Sequence, residues 1–466
     1  MSIRRHFNFS CYLKYDSGFM FVRNILVGII IALPLFCLAQ SKPLDSSEGI
    51  TINGKVWPTS YGRNWEEGNV KAFTLPDPLI NNNGKKIVDK RSWQGDRRIA
   101  IMQDFSELMY GHTPEFDFEQ KAEVISIRKD ALDGLATRTI IKLGFFEDPT
   151  APTIQLMVYI PNSAKAPVPI VMKMNWYGNS SLERDITIPH STKWMRPIPE
   201  KGILDNQVTE ATRGINAYRF PNLKELMKRG YGLATFYYGD VEPDHIDGWK
   251  DGIRGYVMRK SGNTQLKPNE WGALGAWAWG ISRSLDCLEN LPSVDADRVA
   301  LIGHSRHGKA VLWAGAQDQR FAVVISNNSG EGGAALARRN FGENIAYSIG
   351  HASWRYCEQF KNFVDKEDEL PFDQHMLLAM IAPRPLYVGS ATEDLLADPK
   401  GEFLSALNAG PVYELFGFRG LESTEMPSPD ISIGNQIRYH IRTGDHDLTR
   451  FDWKQYLQFL DLHFKK

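Results

Sequence analysis

From residue 153 onward, short apolar runs rich in Val, Ile, Leu and Tyr alternate with stretches of helical periodicity. The runs fall at 153–161, 168–176, 230–240, 298–305, 321–329, 384–392 and 437–446. Their β-branched and aromatic residues suit the pleated surface of a sheet, and most of the runs are bounded by Gly, Pro, Asn or Asp. Between them, apolar residues recur three and four apart over 220–230, 272–291 and 308–318, and again over 451–465. That spacing gathers them on one face of a helix. Strands separated by helices pair in parallel, and the crossovers lay helices over both faces of the sheet. The pattern predicts an α/β fold, a three-layer αβα sandwich around a mostly parallel central sheet. No internal repeat, linker or second core interrupts 101–466, which reads as one domain.

The chain before it has a different character. Residues 40–100 are polar and rich in Gly, Pro and Asn, and predict an extended N-terminal arm wrapped on the body. Over 20–40 a basic Arg23 is followed by an apolar run from Ile25 to Leu38 and a small Ala39. The run is short for a membrane span, and Pro34 breaks it. This reads as a signal peptide over 1–39, starting at Met20 and cut near Ala39–Gln40, which makes the protein secreted or periplasmic with no stable membrane span. An uncleaved anchor and a lipoprotein modified at Cys37 are the other readings; the bulky Phe36 disfavours the second.

Composition narrows the function classes further. With 466 residues, 42% of them hydrophobic, the chain can bury a large core. A formal net charge of -1 gives no electrostatic reason to expect nucleic acid. Cys11 and Cys37 would leave with the signal. Cys287 and Cys357 then form one disulfide or, in the reading adopted here, stay as two buried thiols on helical segments. No cysteine spacing suggests a metal.

One junction carries candidate chemistry. In DRVALIGHSRHGKAVLWAGA, 297–316, an apolar run stops at Gly303 on a polar cluster, and a helical pattern starts at once. Sites in such sheets form at the C-terminal ends of the strands. A serine on the strand-to-helix turn there is a nucleophile elbow, and Gly303 permits the close backbone approach it needs. The second glycine of G-x-S-x-G falls one residue late, at Gly308, with His307 in its place. The same position suits a helix N-cap serine, so on this motif alone both readings of Ser305 stand. A serine hydroxyl is a poor nucleophile without a base in hydrogen-bond reach. In this fold the order along the chain is serine, acid, histidine. His446, between the last strand and the last helix, is the histidine in that place, whereas the elbow is expected to aim His304 and His307 away from the serine.

GHSRHGK (303–309), with GAWAWGISRSLD (275–286) before it and SNNSGEGGAAL (326–336) after it, closely resembles the glucuronoyl esterases, carbohydrate esterase family fifteen. LPFDQHMLLAMIAPRPLYVGSATEDLLADPKGEF (370–403) resembles the bacterial branch. The resemblance implies an α/β-hydrolase fold with no cofactor, acting on the ester between a (4-O-methyl-)glucuronic acid branch of xylan and an alcohol of lignin. Glucuronoxylan or a lignin–carbohydrate ester is then the partner. An acetylxylan esterase and a catalytically impaired sugar-binding homologue are the alternatives. The family pattern G-x-S-R-x-G-K accounts for the late glycine. By resemblance Ser305 is the nucleophile, Arg306 donates to the oxyanion from its backbone and guanidinium, and Lys309 holds a sugar hydroxyl. Glu343 matches a glutamate that binds uronate hydroxyls, and Trp354 and His351 lie near other substrate contacts. Arg306 and Lys309 oppose the dipole of the helix they begin, so an anion should compensate them, and a uronate-derived intermediate is suitably charged.

Two positions depart from the family. Many members carry the triad acid as a glutamate where this chain has Asn328, and an amide cannot stabilise an imidazolium by charge. The acid is then expected after the next strand, in GSATEDLLAD, at Asp394, with Glu393, Glu331 or no acid as the alternatives. Leu396 stands where relatives often have a tryptophan lining the sugar site, which predicts weaker sugar contact or a wider pocket.

Overall fold

Ten strands build the central sheet of the computed structural model, which describes residues 49–52 and 55–465. The expected signal segment, 1–39, lies outside the described residues. The strands are β1 (Lys121–Asp130), β2 (Ala136–Gly144), β3 (Ile154–Pro161), β4 (Val168–Met172), β5 (Gly232–Thr235), β6 (Val294–His304), β7 (Val323–Asn327), β8 (Leu386–Ala391), β9 (Ile431–Ile433) and β10 (Ile437–Arg442). Their order across the sheet is β9-β10-β8-β7-β6-β4-β5-β3-β2-β1. From β10 to β5 the neighbours run parallel; β9 and the β1–β3 meander are antiparallel.

The apolar runs became β3 to β8 and β10. Both faces of β6 are buried, and its residues alternate between two cores as the pleat requires. Val299 and Leu301 join the core under the helices α1 (Ala273–Glu289), α2 (Arg306–Gln317) and α3 (Pro399–Glu414). Ala300 and Ile302 join the core on the other face, under α4 (Arg450–Phe464) and the short helix Leu223–Lys228. This is the three-layer sandwich expected from the pattern.

Strand β1 was not expected, because Lys121, Glu123, Arg128 and Lys129 interrupt its apolar residues. It lies at the edge of the sheet, where charge blunts pairing with other chains. Residues 59–89 run irregularly over the body: Asn64 accepts from the Gly342 amide at 2.8 Å, and Glu67 pairs with Lys400 at 2.9 Å and with Arg339. A helical segment begins at Lys90, capped by the Asp89 side chain on the Ser92 amide, inside the stretch read as arm. Cys287 and Cys357 are free and buried, and burial pushes both thiols up to about 11. Cys287 lies on α1, but Cys357 precedes a short 3-10 helix, Glu358–Phe363, and is not itself helical. Among the described residues no helix is long and apolar enough to cross a membrane.

Register brings the site together. His304 lies opposite Asn327, Asn327 opposite Gly389, and Ala391 opposite Arg442. The residues just beyond these strand ends therefore leave one edge of the sheet side by side.

Candidate active site

Ser305 follows β6 with φ 58° and ψ -132°, a conformation that is costly for a residue with a Cβ. A Cβ on Gly303 would sit 2.2 Å from the His307 carbonyl oxygen, so only glycine lets the elbow close. The late Gly308 has the same kind of reason, since a Cβ there would come within 2.8 Å of the Ser329 side chain. Ser305 occupies the N-cap position of α2, yet its side chain makes no capping hydrogen bond. Its amide donates to Asn327 at 2.9 Å, and the residue lines a cleft of about 470 Å³ with Trp176, Arg219, Tyr238, His304, Arg306 and His446. The capping role, open on the motif alone, is not the one the side chain plays.

His446 is carried on a loop that is tied down from several sides. Arg442, paired with the buried Asp452 at 2.9 Å, donates to the carbonyls of Asp445 and Asp447 at 2.6 Å. Asp452 also completes the capping box that starts α4, and Arg219 holds the Asp447 carboxylate at 2.7 Å. His446 Nδ1–H donates to Asp394 Oδ2 at 2.6 Å. A carboxylate on Nδ1 assigns the tautomer that leaves Nε2 unprotonated. Asp394 is 2% exposed and His446 37%, so the acid is buried while the ring meets the cleft.

Asn328 has a place in this arrangement. Its amide nitrogen donates to the same Asp394 oxygen at 2.7 Å and so helps to orient that carboxylate. Glu393 is exposed. Glu331 is buried beside Lys309 with one carboxyl oxygen unpartnered, and burial holds its pKa well above the ordinary carboxylate range.

His304 departs from expectation. Its ring is 4.6 Å from that of His446 and lines the same cleft, because it is the last strand residue and rises at the sheet edge beside the histidine loop. It donates from Nδ1 to Asn327 at 2.7 Å, and burial lowers its pKa well below the ordinary value, so it stays neutral. His307 does turn away, stacking on Trp176 at 4.0 Å.

Protein carboxylates supply anions to the two cations at the helix start. Arg306 pairs with Asp244. Lys309 is buried, pairs with Glu343 at 2.8 Å and donates to the Glu331 carbonyl. Burial works against its charge, but Glu343 outweighs it and raises the pKa. The Glu343 amide donates to Leu396 at 2.8 Å, joining this pair to the loop that carries Asp394. Trp354 donates its indole N–H to Asp244 at 2.8 Å. His351 is exposed and stacks on Tyr347 at 5.1 Å.

This geometry has counterparts among known proteins. A family model described as glucuronyl esterase of fungi matches residues 265–417. A carbohydrate esterase from an unknown prokaryotic organism is 41% identical over 416 residues, spanning 89% of this chain and 95% of its own. The chain belongs to the glucuronoyl esterases, carbohydrate esterase family fifteen. A 4-O-methyl-glucuronoyl methylesterase from Wolfiporia cocos is 36% identical over 354 residues, 74% of this chain and 72% of its own. The solved glucuronoyl esterase from Solibacter usitatus superposes with a TM-score of 0.80 at 43% identity, over 85% of this chain and 100% of its own. The fold is that of an α/β-hydrolase, and the protein is a carboxylic ester hydrolase.

The sequence reading of this esterase missed Asp244, Arg355 and Arg219. Asp244 lies in a loop with no periodic pattern, 62 residues before the arginine it holds, and nothing local marks it among the many acids. A larger depression of about 840 Å³ lies on the outer flank of the histidine loop, between Phe220 and Trp453, and includes none of Ser305, Arg306 and His446.

Proposed function

We propose that this esterase is a secreted serine hydrolase of (4-O-methyl-)glucuronate esters on xylan, of the kind that join the uronate to lignin alcohols. The observation that carries the reading is one cleft at the sheet edge lined by both Ser305 and His446, with His446 held by a buried Asp394. His446 Nε2 takes the proton as Ser305 Oγ attacks the ester carbonyl, and Asp394 stabilises the imidazolium that forms. Arg306 opens α2, so its backbone N–H has no partner within the helix and is available to the oxyanion, as are donors of its guanidinium. The proton passes to the leaving alcohol. A water, deprotonated by the same histidine, then releases the uronate from Ser305. Lys309 and Glu343 form a donor–acceptor pair that suits sugar hydroxyls. Leu396, whose carbonyl accepts from the Glu343 amide, brings no aromatic face to this pair, in keeping with a wide or weakly gripping sugar site.

Steady-state kinetics on benzyl glucuronate and on an acetyl ester test the substrate. A site built to hydrogen-bond a sugar should favour the uronate ester by about 10²-fold or more in kcat/KM. Equal or better turnover of the acetyl ester would make this an acetylxylan-type esterase. No turnover, together with no labelling of Ser305 by a fluorophosphonate, would make it an impaired sugar-binding homologue.

Arg306→Lys is not a conservative change here. A planar guanidinium can stack on Trp176, meet Asp244 and still offer donors, whereas an ammonium is a point charge. A fall in kcat of about 10²-fold is expected, on the scale of losing one oxyanion donor. Turnover close to wild type would remove Arg306 from transition-state stabilisation.

A further inference from the structure

We propose that Asp244 is a positioning residue for the reaction, a buried carboxylate that locks the Arg306 guanidinium against the cleft wall. The proposal rests on the reading of Arg306 as an oxyanion donor.

Asp244 has a side chain that is 2% exposed, and four donors converge on it. Oδ1 accepts from Trp354 Nε1 at 2.8 Å and Arg355 Nε at 2.9 Å. Oδ2 accepts from Arg355 Nη2 at 2.8 Å and from Arg306 Nη1. Burial alone would push this carboxyl up. Arg355 and Arg306 more than reverse that and hold it far below the ordinary carboxylate range, so it is ionised wherever the enzyme works.

The two arginines bind it differently. Arg355 meets it side-on with two nitrogens, the bidentate geometry that fixes the orientation of a carboxylate. Arg306 meets it with one nitrogen, while its Cζ lies 4.9 Å from the Trp176 ring, which lines the same cleft as Ser305. The guanidinium is thus held between an anion and an aromatic face, and its Nε is buried with no partner. The charges follow the same logic. One carboxylate shared by two guanidinium groups leaves a net positive charge at this wall, whereas an Asp244–Arg306 pair alone would be neutral. Without Asp244, Arg355 and the helix dipole would both repel Arg306, which could swing into solvent.

A purely structural ion pair predicts lost stability and no special link to Arg306. The test is a double-mutant cycle of Asp244→Asn with Arg306→Ala, reading kcat, KM and melting temperature on a glucuronate ester. Asp244→Asn should lower kcat about 10–10²-fold with KM within about threefold of wild type, and should cost less than about threefold when Arg306 is already alanine. Asp244→Glu keeps the charge but moves it by one methylene. It should fold and lose about tenfold in kcat, and it carries the cycle if Asp244→Asn does not fold. An equal penalty in both backgrounds, a kcat for Asp244→Glu within threefold of wild type, or an Arg306→Ala enzyme with wild-type kcat would each overturn the proposal. A wild-type enzyme that turns over no glucuronate ester would instead overturn the proposed function, and the two failures are read in separate arms.

Discussion

Ser305→Ala is expected to cut turnover of a glucuronate ester by about 10⁴–10⁶-fold, His446→Ala by a similar factor, and the double variant by hardly more. The reason is that the two side chains do one job. The serine is nucleophilic only while the base takes its proton, and without the serine no acyl-enzyme forms for the base to help hydrolyse. Once either is gone, the remaining catalysis comes from the oxyanion donors and from substrate binding, which neither change removes. The folded structure should survive both changes. Ser305 is tied into the elbow by its backbone amide and carbonyl, and its hydroxyl caps nothing. His446 is 37% exposed on a loop whose shape is set by Arg442, Asp452 and Arg219. Single-turnover measurements with melting temperatures in parallel check this. Losses that multiply would mean that the two residues act independently and that the proposed triad is wrong.

The second large effect is expected at Asp394. Asparagine keeps the shape but removes the charge that stabilises the imidazolium, and in serine proteases the equivalent change costs about 10⁴-fold, largely through the wrong tautomer. Here Asn328 enters the argument. Its N–H points at Asp394 Oδ2, the oxygen that also accepts from His446. In Asp394→Asn that donor would favour an amide oxygen at this point, so the histidine keeps its tautomer. The loss should then lie nearer 10² than 10⁴-fold. Adding Asn328→Glu in the Asp394→Asn background should restore part of the activity by returning a carboxylate to the neighbourhood of the imidazole. The recovery should be incomplete, because residue 328 has φ 48°, which asparagine tolerates better than glutamate. Full activity in Asp394→Asn would leave no acid to take over, since Glu393 is exposed and Glu331 is buried beside Lys309. The enzyme would then be a Ser–His dyad.

Much of this protein could be read in one dimension. Parallel strands buried on both faces have to be continuous apolar runs, so β3 to β8 and β10 stood out. The elbow was legible because its chemistry is local: a glycine, a serine and a helix start within a few residues. His446 was legible because chain order in this fold constrains where the base can come from. The edge strand β1 was hidden because an edge is defended with charge, and charge erases the apolar signal. What the sequence by itself determined, then, was the layered fold, the family resemblance and the identity of the candidate nucleophile and base. Only the tertiary structure decided which acid meets the histidine, that Asn328 orients this acid, that His304 stands beside His446, and that Asp244 and Glu343 compensate Arg306 and Lys309. Those contacts join residues 66, 142, 62 and 34 positions apart in the chain. They exist because the register of a parallel sheet delivers loops from distant segments to one edge, and short-range patterns in a sequence carry no record of that register.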